Sequence, residues 1–227
     1  MQFTKSLLLL AALTTGSLAH RVHGHARRQS PSATVSAVPS SSGSASGGSW
    51  TATPASGSYS TAGFGASTAN SGSGNTYAGN VGNPWGSNII EVSESDASNY
   101  KYVAAISGQN TEPWTVVFWN KYGPDGKMDG WYGNSAVTFT LNAGETNNGN
   151  SGWSGFDVSA IMAQNAGLTV QGMKMCDVLS GTCSSITTDA ASVDNAYTSA
   201  ETDIGGIGGN ISGDGAVRIA VTIDYSG

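Results

Sequence analysis

Short runs of β-branched and aromatic residues recur over residues 88–225, each closed by Gly, Asn, Pro or Ser. A chain built this way reads as strands and turns, because the period-two pattern of a strand never gives way to a sustained helical repeat. Residues 88–92, 100–106 and 115–120 are the first three candidate strands. Residues 136–141 alternate, which places Val137, Phe139 and Leu141 on one face. Residues 156–161, 168–171 and 173–176 follow, and residues 216–225 form a final strand. Gly123, Pro124, Asp125 and Gly126 make a turn by composition. Residues 187–200 alone hold some helical promise, weakened by Thr and Ser. The expected fold is mainly β: an antiparallel β-sandwich with little helix, for which jelly-roll and thaumatin-like arrangements are both compatible variants.

The segments before residue 50 are of another kind. Residues 1–19 read as a secretory signal: Lys5 is the positive end, Leu7 to Leu13 the apolar stretch, and Ser17-Leu18-Ala19 the small-residue cleavage site. That stretch is too short to span a bilayer at about 20 residues. Residues 20–28 hold all three histidines, His20, His23 and His25, and end on Arg27-Arg28. Imidazoles this dense could bind copper or zinc, but a basic propeptide ending at the dibasic pair is the simpler reading. Residues 29–49 are a Ser/Gly/Ala/Pro linker, too poor in apolar side chains to order itself. Residues 50–227 are expected to form the β domain, with an irregular arm over residues 50–82. The expected location is therefore outside the cell, secreted or associated with the cell wall.

Charge and missing residue types narrow the function. After Arg28 only five basic residues remain, against all fifteen acidic ones. Such a surface disfavours nucleic acid and is a poor match for anionic membranes. No histidine follows residue 28, which removes Ser-His-Asp and Cys-His catalysis and histidine-ligated metal sites. Gly205, Gly206, Gly208 and Gly209 lack the frame of a phosphate-binding loop and read as a flexible loop. Carboxylate chemistry survives, with Glu91, Glu94, Asp96, Glu112, Glu145 and Asp157 as candidates for glycoside hydrolysis, but their spacing selects no pair. Asp125 and Asp129 could suggest calcium, yet Lys127 between them favours a tight turn. No cofactor is expected and no catalytic set can be chosen.

Binding residues are easier to name. Trp85, Trp114, Trp119, Trp131, Tyr132 and Trp153 stand beside Gly, Pro or Asn, where exposed rings could stack on the sugars of a cell-wall polysaccharide. The alternative is burial in a β core. Cys176 and Cys183 flank a Gly-containing turn, so a stapled hairpin is expected in an oxidising compartment. Asn210-Ile211-Ser212 is an N-glycosylation sequon.

Several long motifs then carry a resemblance. They are Gly79-Asn80-Val81-Gly82-Asn83-Pro84-Trp85-Gly86-Ser87-Asn88-Ile89-Ile90-Glu91-Val92, Pro113-Trp114-Thr115-Val116-Val117-Phe118-Trp119-Asn120-Lys121, and Gly130-Trp131-Tyr132-Gly133-Asn134-Ser135-Ala136. Gly152-Trp153-Ser154-Gly155-Phe156-Asp157-Val158-Ser159-Ala160-Ile161 and Val170-Gln171-Gly172-Met173-Lys174 complete the set. In this order they resemble the secreted fungal allergen family typified by Asp f four of Aspergillus. The resemblance implies an extracellular protein bound by host IgE in sensitised people. It implies no established enzymatic activity and no catalytic residues. Two departures stand out. Ser60 occupies a position where the family pattern has a cysteine. After Thr146 the family pattern continues for about forty residues, a length set against usual strand and loop sizes, whereas here Asn147-Asn148-Gly149-Asn150 leads directly to Gly152-Trp153. Strands lost at such a junction would leave neighbouring edges unpaired.

Overall fold

The computed structural model describes residues 6–7, 49–54, 57–68, 78–128, 134–150, 155–202, 204–211 and 213–227. The expected signal (apart from Ser6–Leu7), basic segment and linker (apart from Ser49) lie outside these residues. In chain order the elements are β1 (Ser6–Leu7), β2 (Ile90–Val92), α1 (Glu94–Ala97), β3 (Tyr102–Gly108), β4 (Trp114–Phe118), β5 (Val137–Leu141), β6 (Thr146–Asn150), β7 (Gly155–Phe156), α2 (Ile161–Asn165), β8 (Met173–Asp177), β9 (Cys183–Ile186), β10 (Val193–Asp194), β11 (Gly209–Asn210) and β12 (Val217–Ile223). The chain is mainly β, as its sequence texture predicts.

Three sheets form. The largest has the order β10-β9-β8-β12-β3-β6-β2, the second β1-β4-β5, and β11-β7 is a two-stranded ribbon. The pairs are antiparallel except β12 with β3 and β1 with β4. β12 is the centre of the large sheet. Val217, Ile219, Val221 and Ile223 alternate into a core shared with Ile106 of β3, Met173 and Met175 of β8, and Ile186 of β9. Trp114, Val116 and Leu141 of the second sheet enter the same core, so one apolar interior joins both sheets. In β5 the expected alternation holds: Val137, Phe139 and Leu141 are more buried than Thr138 and Thr140. Phe139 stacks on Phe118 at 6.1 Å between ring centres.

The structure differs from the sequence reading in five places. Residues 156–161 split into β7 and the short α2 rather than forming one strand. Residues 168–171 are irregular. Residues 187–200 yield two 3-10 turns (Thr188–Ala190 and Ser199–Glu201) and β10 instead of an α-helix, because Asp189, Ala190 and Asn195 sit at positive φ and interrupt a right-handed helix. The fourth is β6. Its sequence, Thr-Asn-Asn-Gly-Asn, has weak strand propensity. It nevertheless pairs on one side with Ala104–Ser107 of β3 and on the other with β2. The edge expected to lie open after Thr146 is therefore occupied, by backbone pairing.

α1 was not foreseen either. Ser93 caps it by accepting from the Asp96 N–H, and Glu94 and Asp96 lie in its first turn, a favourable place for negative charge. α1 leads to a second apolar cluster, Ala97, Tyr100 and Val103, against which Trp50 and Phe64 pack. Tyr100 meets Phe64 edge to face at 5.9 Å and donates its hydroxyl to Ala62 O. The arm before Gly82 is thus fastened to the back of the large sheet.

Arg218 holds the join. Its side chain leaves β12 on the face opposite the main core and is fully buried. Nε and Nη2 donate to Ala52 O, Nη2 also to Ser98 O, and Nη1 to Lys101 O and Val217 O. A guanidinium has five N–H donors, and all of them are used, each on a main-chain carbonyl. Burial lowers the pKa of Arg218, and the nearby Tyr59 opposes that shift.

Cys176 and Cys183 are bonded, as expected, and sit directly opposite each other in the β8–β9 hairpin. The staple closes a separation of only 7 residues, and the turn is also held by Asp177 N–H to Thr182 O at 2.9 Å and Gly181 N–H to Asp177 O at 2.8 Å.

Two outcomes follow from these contacts. Replacing Arg218 with Met removes five donors and takes their guanidinium partner from the Ala52 and Ser98 carbonyls; urea unfolding is expected to show a loss of about 2–4 kcal/mol, with faster protease cleavage within residues 50–68. The double variant C176S/C183S is expected to remain folded, losing no more than about 2.5 kcal/mol because the loop it opens is short; calorimetry of the purified variant checks this.

Candidate functional site

Two places in the structure gather polar or aromatic chemistry. The first is built by the Gly-Asn-Pro-Trp-Gly motif. Gly82 lies at φ +74°, and a Cβ there would fall 2.7 Å from Asn88 N and closer still to Ser87 Oγ, so only glycine permits this turn. Gly86 N–H bonds to Val81 O at 2.7 Å and Ser87 N–H to Pro84 O at 3.1 Å, while Asn83 and Ala66 exchange backbone hydrogen bonds with the arm. The compact loop carries Trp85 to the segment after β4. There the Trp85 indole N–H donates to Tyr122 O at 2.9 Å. Asn88 and Asn120 exchange side-chain amide hydrogen bonds at 2.8 and 2.9 Å. Trp85, Asn88, Trp119, Asn120 and Tyr122 are all half-buried. Among the described residues each amide of the pair keeps a second N–H and a second lone pair, so the patch offers the Trp85 ring and amides together.

The sequence reading named six aromatic residues for stacking. Trp85 is in this patch, and Trp119, half-buried, precedes Asn120 in sequence. Trp114 is 2% exposed within the main core and has no face to offer a ligand. Trp131, Tyr132 and Trp153 lie outside the described residues. Asn88, Asn120 and Tyr122 were not singled out. The signal for them was available: each is within three residues of a flagged tryptophan.

The second place is Asp157, just after β7. Its Oδ2 is buried with no hydrogen-bond partner. Gly208 covers it at φ +92°, so close that a Cβ would lie 2.8 Å from Asp157 Cβ. Asn195 clamps Gly208 by both its N–H and its C=O, each at 2.9 Å, and donates to Cys183 O at 2.8 Å. Burial pushes the Asp157 pKa up to about 7; an apolar setting disfavours the carboxylate.

The other carboxylate candidates are exposed. Asp96 accepts from Ser93 Oγ, and Glu145 accepts from the Asn142 backbone and amide. Those two serve local turns. Asp125 makes an ion pair with Lys127 at 3.3 Å and accepts the Lys127 N–H, consistent with a turn; Asp129 lies outside the described residues. Among the described residues no group of three or more His, Cys, Asp or Glu is placed to hold a metal, and no helix is long and apolar enough to cross a membrane. Asp157 was one of six equal candidates in the sequence. Its flanking by Phe156 and Val158 was the available sign of burial.

The raised pKa sets a pH dependence. The folded chain keeps the Asp157 proton up to about pH 7, whereas the unfolded chain loses it near the ordinary value of 3.8. Between those values the folded state holds more protons, so stability falls as pH rises through the window and stays low above it. Asp157→Asn is expected to flatten this decline, with a relative gain of up to about 4 kcal/mol between pH 4 and pH 8. Denaturant melts of both proteins across that range check it; the slope is diagnostic even if the amide changes stability uniformly.

Comparison with known proteins places the chain. The profile of the Allergen Asp f 4-like domain matches residues 87–148 and 146–223. The two blocks meet where the sequence departs from the family pattern, and the junction falls on β6. Allergen Asp f 4 of Aspergillus fumigatus (strain ATCC MYA-4609 / CBS 101355 / FGSC A1100 / Af293) is 46% identical over 215 residues, covering 78% of this chain and 66% of that protein. The match thus spans just under two thirds of the relative's length. No solved structure matches the chain significantly. The profile match and this identity lead to one conclusion: the chain belongs to the Allergen Asp f 4-like family.

Proposed function

We propose that this is a secreted, non-enzymatic protein whose folded surface is bound by IgE of sensitised hosts. The observation that carries the reading is the 46% identity to a protein named as an allergen. The Cys176–Cys183 bridge supports an oxidising, extracellular destination. Antibody recognition needs no catalytic machinery, only exposed and stable surface.

The full chain, expressed in a fungal secretion host, is expected in the medium. It should bind IgE from sera of people sensitised to Allergen Asp f 4, and pre-incubation with an excess of that relative should remove most of the signal. A folded, secreted protein with no IgE signal above that of unsensitised sera would sink the IgE reading.

The role for the organism that makes it is a separate matter, and one observation favours carbohydrate binding. Half-buried Trp85 is bonded to Tyr122 O near the Asn88–Asn120 amide pair, and half-buried Trp119 adjoins Asn120 in sequence. Rings with adjoining amides suit a sugar, whose C–H face is apolar and whose hydroxyls hydrogen-bond. A pull-down on insoluble glucan and chitin is expected to retain the protein without releasing reducing sugar. Trp119→Ala should weaken retention about tenfold or more while near-UV circular dichroism shows the fold intact. Release of reducing sugar abolished by Asp157→Asn would instead establish a hydrolase.

A further inference from the structure

We propose that Asn210 carries an N-linked glycan in the secreted protein; the inference rests on the secretion reading above. Asn210 lies in β11, paired in register with Gly155 of β7. Gly209 before it is buried against the Phe156 ring, and Ile211 after it packs on the main core. Alternation along the strand therefore turns Asn210 outward, and its side chain is exposed. Its cross-strand neighbour is a glycine, which leaves the adjoining position on the ribbon without a side chain. Gly205, Gly206, Gly213 and Gly215 nearby in sequence all face open space. A bulky substituent at Asn210 displaces no packed group.

The use of asparagine amides sharpens the choice. Asn88, Asn110, Asn120, Asn142 and Asn195 all hold internal hydrogen bonds through their side-chain amides. The Asn210 amide holds none among the described residues. It is also followed by Ile211-Ser212, completing the acceptor sequence. The co-reactant is a polyprenyl-pyrophosphate-linked oligosaccharide of the secretory compartment. A bond forms between Asn210 Nδ2 and the anomeric carbon of the first sugar. The anomeric C–O bond to pyrophosphate breaks, the lipid pyrophosphate leaves with that electron pair, and the amide gives up one proton.

The test uses the full chain, secreted by a eukaryotic fungal host and purified from the medium. Peptide-N-glycosidase is expected to lower its intact mass by a hexose and N-acetylhexosamine series and to leave Asp in place of Asn at position 210. The whole mass shift should vanish in N210Q and in Ser212→Ala, and persist in Ser212→Thr. Ser212→Ala leaves Asn210 in place, so it separates loss of the glycan from any folding defect of N210Q. Protein recovered from the medium with an unmodified Asn210 would overturn the site while leaving secretion standing. Failure of the unsubstituted chain to reach the medium would overturn the secretion reading, and this inference with it.

Discussion

A buried cation with no carboxylate at its side among the described residues organises this fold. Removing a guanidinium from water costs several kcal/mol, and Arg218 recovers that cost from carbonyl dipoles alone. The carbonyls come from Ala52 in the arm, Ser98 after α1, Lys101 before β3 and Val217 in β12 itself. These segments are distant in sequence; the Ala52 contact spans 166 residues. Without the guanidinium the Ala52 and Ser98 carbonyls would lose this donor, whereas Lys101 O would keep the Val217 N–H. The arm, α1 and the two central strands therefore reach their final positions together. β12 serves both faces of the sheet, with its apolar residues in the main core and Arg218 against the arm.

The same economy explains β6. A strand of Thr, Asn and Gly contributes little through side-chain propensity. Its stability comes from backbone hydrogen bonds to two neighbours, β2 and β3. Were it absent, β3 would present an open edge beside β12, at the centre of the large sheet. The family profile breaks into two blocks at this point. A short polar segment of suitable length thus completes the sheet across the junction, because main-chain pairing asks little of the side chains that carry it.

Much of the architecture was legible in the sequence, and the failures share a cause. β5 and β12 follow from alternation and β-branched runs, and the β8–β9 hairpin follows from two cysteines around a turn. The missed elements depend on partners that are remote in sequence. β6 needs β2 and β3; the 3-10 turns after Ile186 reflect residues at positive φ rather than propensity. The candidate site was half legible. Trp85 and Trp119 could be named by type, but Trp114 is of the same type and lies in the core, and only the burial pattern of β4 tells them apart. Arg218 offered a clue: a lone charge inside the apolar run of residues 217–223 has to find buried partners or break the strand.

Among the described residues, Arg218 and Asp157 are the two ionisable groups that burial shifts, and the fold resolves them in opposite ways. Arg218 cannot shed its proton at any ordinary pH, so four carbonyl acceptors are brought to its five N–H donors. Asp157 can take one up, so the structure leaves its Oδ2 unpartnered beneath Gly208 and shifts the proton equilibrium instead. The first solution is insensitive to acidity, and the second favours an acidic medium. Their placement matters for function. Asn195, which fixes the cover over Asp157, also ties the Gly208 loop to the carbonyl of Cys183. The protonation of Asp157, the stapled hairpin and the ribbon that presents Asn210 are thereby parts of one packed unit, on a different part of the chain from the Trp85 loop. Acidity should act on the firmness of that unit, while the aromatic and amide groups around Trp85 and Asn120 depend on the turn chemistry of Gly82, which carries no titrating group.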